Sequence, residues 1–224
     1  ETYEKEGRWN DLINVLTQRA DSCENASEKI ELLNRVASLW IGRFNNFNRA
    51  MEPLEKILEL EPENREVISQ LKQIYQQKRS WEPLLGLLEK ELEYIEEDDR
   101  LEHLTQMASL AGERLGKHDQ AIELFWKVLE LAPGDQQAMA TVEKLCERQK
   151  RYEDLARVLE MKLEHSPEDG SRVPLLLKLG TVYSDQLEDH AKAIDVWRRL
   201  LAIQPNHPKA LRILKETYIK AGDW

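Results

Sequence analysis

The residues best able to carry out chemistry are few and scattered. The 224-residue chain has five histidines and two cysteines, and none of them falls in a recognised catalytic spacing. There is no glycine-rich phosphate loop, no HExxH, no paired cysteines and no GxSxG. His118 and His190 occupy the same slot, a turn between helices where aromatic packing residues are common. The pattern predicts a protein that is not an enzyme and that needs no cofactor or metal.

The two cysteines also point away from chemistry. Cys23 lies in a polar connection, and Cys146 lies on an apolar helical stripe. Two cysteines this far apart favour free thiols in a reducing compartment over a disulfide. A cytoplasmic location is therefore expected. No signal peptide is visible, and the chain is interpreted as a piece of a longer protein.

Charged residues make up 33% of the chain and follow helical spacing. Acidic residues stand four positions before basic ones, as Glu52 stands before Lys56, which is typical of solvated helix faces. The net charge of -10 argues against non-specific nucleic-acid binding, which needs a basic surface. No apolar run approaches the roughly 18 residues that a membrane span requires.

An internal repeat positions these residues. One pattern, two helical stripes closing on a proline, runs over residues 36–62, 107–133 and 179–205. The closing residues lie 71 and 72 positions apart: Pro62, Pro133 and Pro205. An aromatic series has the same period: Trp9, Trp81, Tyr152 and Trp224. Self-similarity at a fixed period predicts a repeat architecture.

Each 71–72-residue unit holds two helix hairpins, and the chain about eleven helices. Polar residues before the stripes predict the N-caps: Ser27, Asn64, Ser80, Asp119 and Asp135. Pro53 falls inside a stripe, so a kink or a late helix start is expected there. Phe125 and Trp126 are adjacent, so one of them is expected to face a groove or solvent.

The hairpins resemble the tetratricopeptide repeat, whose length of about 34 residues is close to half the period. The residues that carry the resemblance are clearest in one hairpin: Leu179, Gly180, Tyr183, Ala193, Trp197, Leu200 and Pro205. Three regular hairpins carry one extra residue between their helices. They alternate with divergent hairpins, in which Lys72 and Glu143 replace a small residue and the final proline is lost.

The resemblance implies an all-α fold, a right-handed superhelical solenoid of antiparallel helix hairpins. Residues 1–224 are expected to form a single array. Its hairpins are expected at roughly 27–62, 64–96, 98–133, 135–165 and 171–205, with severed half-hairpins at 1–20 and 206–224.

The resemblance also implies a binding face, because in this family the first helix of each hairpin lines the concave side. The matching candidates for partner binding are Asn34, Ser38, Ile41, Ser69, Gln73, Gln76, Thr105, Ser109, Lys144, Arg148, Thr181, Ser184, Lys209 and Arg212, with Glu147 and Glu216 among them. The alternative is a solvated face without a ligand. The family's clamp for a C-terminal carboxylate is not found on these positions. The basic residues near the C-terminus, Lys209, Arg212, Lys215 and Lys220, either meet an acidic partner or form an ordinary exposed face.

The function implied is a protein-protein interaction scaffold with no chemistry of its own. Its partner is expected to be another protein or peptide, with a folded partner such as a small GTPase as one candidate, and neither a nucleic acid nor a membrane. The alternative is a recognition arm of an enzyme whose catalytic domain lies outside this fragment. A third option, the related half-repeat class used in RNA processing, is disfavoured because its basic surfaces are missing.

Overall fold

The computed structural model describes residues 2–221, apart from the side chains of Thr2, Thr217, Lys220 and Ala221. Trp224, the last member of the aromatic series, and the side chain of Lys220 therefore lie outside the described residues. Over the described range every regular element is a helix and no strand occurs, which confirms the all-α fold class.

The chain divides into two compact units, Glu1–His103 and Leu104–Trp224. The helices up to the boundary are α1 Thr2–Lys5, α2 Trp9–Asp21, α3 Ala26–Gly42, α4 Phe47–Leu60, α5 Arg65–Lys78, α6 Trp81–Glu91 and α7 Glu97–Ser109, which crosses it. The remaining helices are α8 His118–Leu131, α9 Gln136–Gln149, α10 Tyr152–Glu164, α11 Asp169–Thr181, α12 His190–Ile203 and α13 Pro208–Ala221. Short π-helical segments, Leu110–Arg114 and Val182–Gln186, extend α7 and α11.

The predicted count of about eleven helices is too low, since the described residues contain thirteen α-helices. One addition is the single turn Thr2–Lys5, which precedes the first apolar stripe and so has no periodic signal. The other twelve helices each coincide with an apolar stripe of the sequence. One of them was left out of the predicted count although its stripe is visible, so the fold itself is as expected.

In the first unit, consecutive helices from α1 to α6 pack on one another. Each helix buries one stripe at helical spacing, as α5 buries Val67, Ile68, Leu71 and Ile74. Helix α4 begins at Phe47 and continues through a buried Pro53, so of the two alternatives expected there the late start is excluded and the kink stays a prediction. The buried stripes form the apolar core of this unit.

The second unit has its own core, formed by helices α8 to α13 with the two π segments. Trp197 of α12 is fully buried. Phe125 and Trp126 are both buried, so the expectation that one of them faces a groove or solvent is wrong. The reason is Arg157 of α10, whose guanidinium carbon lies 4.1 Å from the centre of the Trp126 ring and covers it.

The predicted N-caps are confirmed where an Asn or Asp side chain accepts a hydrogen bond. The Asn64 carboxamide accepts from the Val67 N–H, and the Asp135 carboxylate accepts from the N–H groups of Gln137 and Ala138. Ser80 holds the predicted position without a side-chain cap bond. Two predictions are wrong. The cap of α3 is Asn25 instead of Ser27, and α8 starts one residue after Lys117, which places Asp119 in its first turn.

Because the regular hairpins have one extra residue between their helices, the hydrogen bond that closes each turn spans more residues of the chain. In these turns the bond joins an N–H to the carbonyl six residues earlier: Asn46 to Trp40, Lys117 to Ala111 and Asp189 to Tyr183, at 2.8–2.9 Å. In the divergent hairpins it spans five residues: Ser80 to Tyr75 and Arg151 to Cys146. The second pattern is the usual Schellman ending of a helix.

The large residues of the divergent hairpins form ion pairs between the two helices. In the first unit Lys72 of α5 pairs with Glu91 of α6. In the second unit Glu143 of α9 pairs with Lys162 of α10. The two pairs lie 71 residues apart along the chain, with the charges exchanged. A half-buried ion pair thus takes the place of the small residue of a regular hairpin.

Candidate functional site

One groove lies in the first unit on helices α3 and α5 and has a volume of about 320 Å³. We call it the amide groove. It is lined by Ser38, Ile41, Gly42, Phe47, Gln70, Gln73, Ile74 and Gln77. None of these lining residues carries a charge. Helix α5 turns its apolar stripe into the core, which leaves its glutamines on the groove side at helical spacing.

The amide groove offers hydrogen bonds above an apolar base. Each glutamine amide supplies two donors and one acceptor. Ile74 is buried, and Ile41 and Phe47 are half-buried, so apolar surface remains accessible between the polar groups. This combination suits a ligand with alternating backbone polar groups and apolar side chains.

A separate groove lies in the second unit on helices α9, α10, α11 and α13 and has a volume of about 560 Å³. We call it the lysine groove. Its apolar lining residues are Tyr152, Leu155, Pro174, Leu177 and Val182. Its polar and charged lining residues are Glu147, Lys178, Thr181, Gln186 and Lys209.

Lys178 connects the lysine groove to the ion pair between α9 and α10. Its ammonium lies 2.5 Å from the Glu147 carboxylate and also pairs with Glu143, which in turn pairs with Lys162. Burial alone would raise the pKa of the Glu143 carboxyl, but hydrogen bonds from both lysines outweigh it and lower that pKa. Burial would likewise lower the pKa of Lys178, but its carboxylate partners raise it.

Lys209, the other lysine that lines the groove, does not belong to this ion-pair cluster. Its ammonium donates to the Thr181 hydroxyl at 3.2 Å, and that hydroxyl donates to the Leu177 carbonyl at 2.8 Å. No described carboxylate forms an ion pair with Lys209. Its positive charge is therefore available to a ligand in the groove.

Five of the fourteen predicted binding residues line a groove. Ser38, Ile41 and Gln73 meet in the amide groove, and Thr181 and Lys209 meet in the lysine groove. The side chains of Ser69, Gln76, Lys144, Arg148 and Arg212 are exposed on first helices, and those of Asn34, Thr105 and Ser109 are half-buried. Arg212 lies 3.9 Å from the Glu216 carboxylate. Ser184 has a structural partner, because its hydroxyl accepts a hydrogen bond from the Trp197 indole at 3.0 Å.

Sequence reasoning missed several lining residues. Gln70 and Gln77 stand three before and four after Gln73, so helical spacing around one predicted residue contained the signal. Lys178 had no comparable signal, because its role depends on carboxylates more than thirty positions earlier in the chain. Tyr152 and Leu155 belong to a second helix, outside the face that the family resemblance indicates.

Other chemistry has little support in the described part of the chain. It contains no group of three or more His, Cys, Asp or Glu residues placed to hold a metal ion. Burial raises the pKa of the Cys146 thiol to about 12, which keeps it protonated and unreactive. None of the described helices is long and apolar enough to cross a membrane.

Comparison with known proteins identifies the repeats. Tetratricopeptide repeat models match residues 104–135 and 175–207, which are two of the regular hairpins. No curated protein sequence matches the chain.

Several solved structures are similar in fold. MamA is 17% identical, with 81% of this chain and 82% of that chain covered and a TM-score of 0.36. YrrB, a TPR protein with an unusual peptide-binding site, is 19% identical, with 89% and 97% covered and a TM-score of 0.40. A tetratricopeptide repeat protein from Parabacteroides merdae is 17% identical, with 86% and 73% covered and a TM-score of 0.41. The two family matches identify residues 104–135 and 175–207 as tetratricopeptide repeats within a chain of repeated helix hairpins.

Proposed function

We propose that this protein is an interaction scaffold that binds an extended segment of a partner protein on the concave face formed by the first helices of its hairpins. Tetratricopeptide repeats are in general non-catalytic interaction scaffolds. The observation that supports the choice of face is the position of the two grooves. The amide groove lies on α3 and α5, and the lysine groove lies mainly on α9, α11 and α13, all of which are first helices.

The size and lining of the grooves agree with a peptide ligand. Their volumes fall within the roughly 300–1,000 Å³ of typical ligand sites. An extended peptide presents an N–H and a carbonyl at every residue, and these groups need partners when they are buried. Glutamines, serine and threonine supply such partners here, and the apolar lining accommodates alternate side chains. Eight of the nine predicted residues outside the grooves are proposed to flank the ligand, and Ser184 is proposed to support this face through its hydrogen bond with the buried Trp197.

No feature of the described residues favours a small GTPase over any other protein. The grooves have volumes of only about 320 and 560 Å³ and are partly apolar, which suits an extended segment better than a broad folded surface. A partner with a folded domain would therefore be expected to insert a loop or a tail.

The test is affinity capture with the full chain, followed by measurement of the dissociation constant of the captured partner. Replacing Gln73→Arg and Arg148→Glu together should weaken binding by about tenfold or more. The matched control is Gln18→Arg with Lys127→Glu, because both residues are exposed on second helices. Equal affinity of the two double variants would refute the proposed face for that partner.

We also infer a reducing, cytoplasmic location, supported by two free cysteines. Fractionation of the source cells checks this inference. Recovery of the protein from an oxidising compartment, with its cysteines oxidised, would contradict it.

A further inference from the structure

We propose that the lysine groove binds an acidic segment, an extended stretch of the partner in which an apolar side chain is flanked by Asp or Glu. This inference rests on the proposed function and specifies the ligand chemistry of one of its two grooves. It depends on three features of the second unit: a closed ion-pair cluster, cations that no described carboxylate pairs with, and an apolar floor.

The acidic groups at the groove already have partners. Glu147 and Glu143 both pair with Lys178, and Glu143 also pairs with Lys162. Two carboxylates and two ammonium groups make this cluster neutral as a whole. The hydrogen bonds from both lysines lower the pKa of Glu143, so the carboxylate stays ionised and continues to hold them. The carboxylates of the cluster are therefore not available to neutralise other cations.

Three cations at and beside the groove have no such partner among the described residues. Lys209 contacts the Thr181 hydroxyl at 3.2 Å and lies 5.9 Å from the centre of the Trp197 ring. Lys144 and Arg148 lie on α9, one turn before and one residue after the lining residue Glu147, and both are exposed. Neither forms an ion pair with a described carboxylate. The charged residues that line the groove are Glu147, Lys178 and Lys209, so the lining carries one net positive charge on a chain whose net charge is -10.

The floor of the lysine groove is apolar. Leu155 and Val182 are buried there, while Tyr152 and Leu177 are half-buried and keep accessible surface. Covering this surface with an apolar side chain removes it from water, at about 25 cal/mol per Å². A ligand that satisfies both parts of the groove combines an apolar residue with carboxylates on either side.

The amide groove provides an internal contrast. Its eight lining residues include no charged side chain, so acidic residues gain no ion pair there. Electrostatic complementarity mainly determines specificity and association rate. The difference in lining therefore predicts that charge preference belongs to the lysine groove alone. A peptide is favoured over a nucleic acid because the apolar floor would meet no matching groups along a phosphate backbone.

The experiment selects short peptides from a random display library against the full chain. A selected peptide is then compared with a version in which Asn and Gln replace its Asp and Glu. Removing the acidic residues, or introducing Lys209→Gln with Arg148→Gln, should weaken binding about tenfold at low salt. Raising the ionic strength should narrow this difference. Lys127→Gln, an exposed lysine of α8, is the matched control and should leave the affinity unchanged. Thermal melts of all variants check that they fold.

Three results would overturn the inference. One is selection of basic or uncharged peptides, and another is acidic peptides that bind Lys209→Gln with Arg148→Gln as tightly as the original chain. The third is a single-stranded RNA of equal length that competes more strongly than the peptide. If Gln73→Arg still weakens the selected peptides, the proposed function survives while this inference fails. If no groove variant changes binding, both fail.

Discussion

At the scale of single residues, Gly180 is the described glycine with the least room for a side chain. A Cβ atom placed on it would lie 2.6 Å from Cε2 of the fully buried Trp197 ring. Gly180→Ala should therefore lower the free energy of unfolding by about 1–3 kcal/mol, as overpacking of a core does. Urea denaturation measures the change.

Gly86 supplies the control for this substitution. It lies inside α6, and a methyl group added there would meet no atom within 4 Å. Gly86→Ala should raise the free energy of unfolding by about 0.5–1 kcal/mol, because alanine favours a helix more than glycine does. A loss of stability in both variants would show that contact with Trp197 is not the cause.

Ser184 separates a structural role from a binding role. Its hydroxyl accepts the hydrogen bond of the buried Trp197 indole. Ser184→Ala should cost about 1–3 kcal/mol of unfolding free energy, because it leaves that N–H without a partner. Ser109→Ala, at a half-buried serine of α7, should change stability by less than about 0.5 kcal/mol. If Ser184→Ala weakens partner binding without lowering stability, the serine belongs to the binding face instead.

The motif positions of such residues could be predicted from the sequence, but the contacts that their side chains make could not. Gly180 and Trp197 could be assigned to motif positions from the repeat. The hydrogen bond from the Trp197 indole to the Ser184 hydroxyl depends on how the π segment Val182–Gln186 packs against α12. The spacing of residues in the sequence does not reveal this packing.

At the scale of helices, the divergent hairpins depend on ion pairs with exchanged charges. Lys72→Glu should bring two carboxylates together and cost about 1–3 kcal/mol, because both side chains are largely buried. Adding Glu91→Lys should recover most of that loss, since the second unit uses the reversed order. A double-mutant cycle in urea gives the coupling energy. Additive losses in the cycle would contradict the assignment.

The same ion pairs predict a pH dependence for the second unit. Glu143 has a folded pKa below its usual 4.5, so it stabilises the fold above about pH 4.5. This contribution is lost as the pH falls through the lowered pKa. Glu143→Gln should therefore reduce stability at neutral pH and flatten the acid limb of the curve. Urea unfolding as a function of pH measures both effects. Glu123→Gln, at an exposed residue of α8, should show the original curve.

Helix boundaries were predictable to the extent that local chemistry decides them. Asn64 and Asp135 cap as predicted because each follows a proline stop and accepts N–H groups directly. The prediction that Ser27 is an N-cap was wrong because Asn25, two positions earlier, takes that role. The extra residue of the regular hairpins was visible in the sequence. The sequence did not show that a closing hydrogen bond over six residues would accommodate it.

At the scale of the molecule, the period of 71–72 residues predicted repeated helix hairpins, because two unrelated series of residues share it. The single array of residues 1–224, its right-handed superhelix and its hairpin limits stay predictions. The grooves themselves could not be located from the sequence. Which turn of a first helix stays uncovered depends on how neighbouring helices pack, and the composition gives only the average charge.

Hydrogen–deuterium exchange of the full chain, with and without its captured partner, tests the central claim most directly. We predict that binding slows exchange in the first helices that line a groove, α3 and α5 or α9, α11 and α13. The exchange rates of the second helices α8 and α12, which line neither groove, should remain unchanged. Protection confined to those second helices would contradict the account.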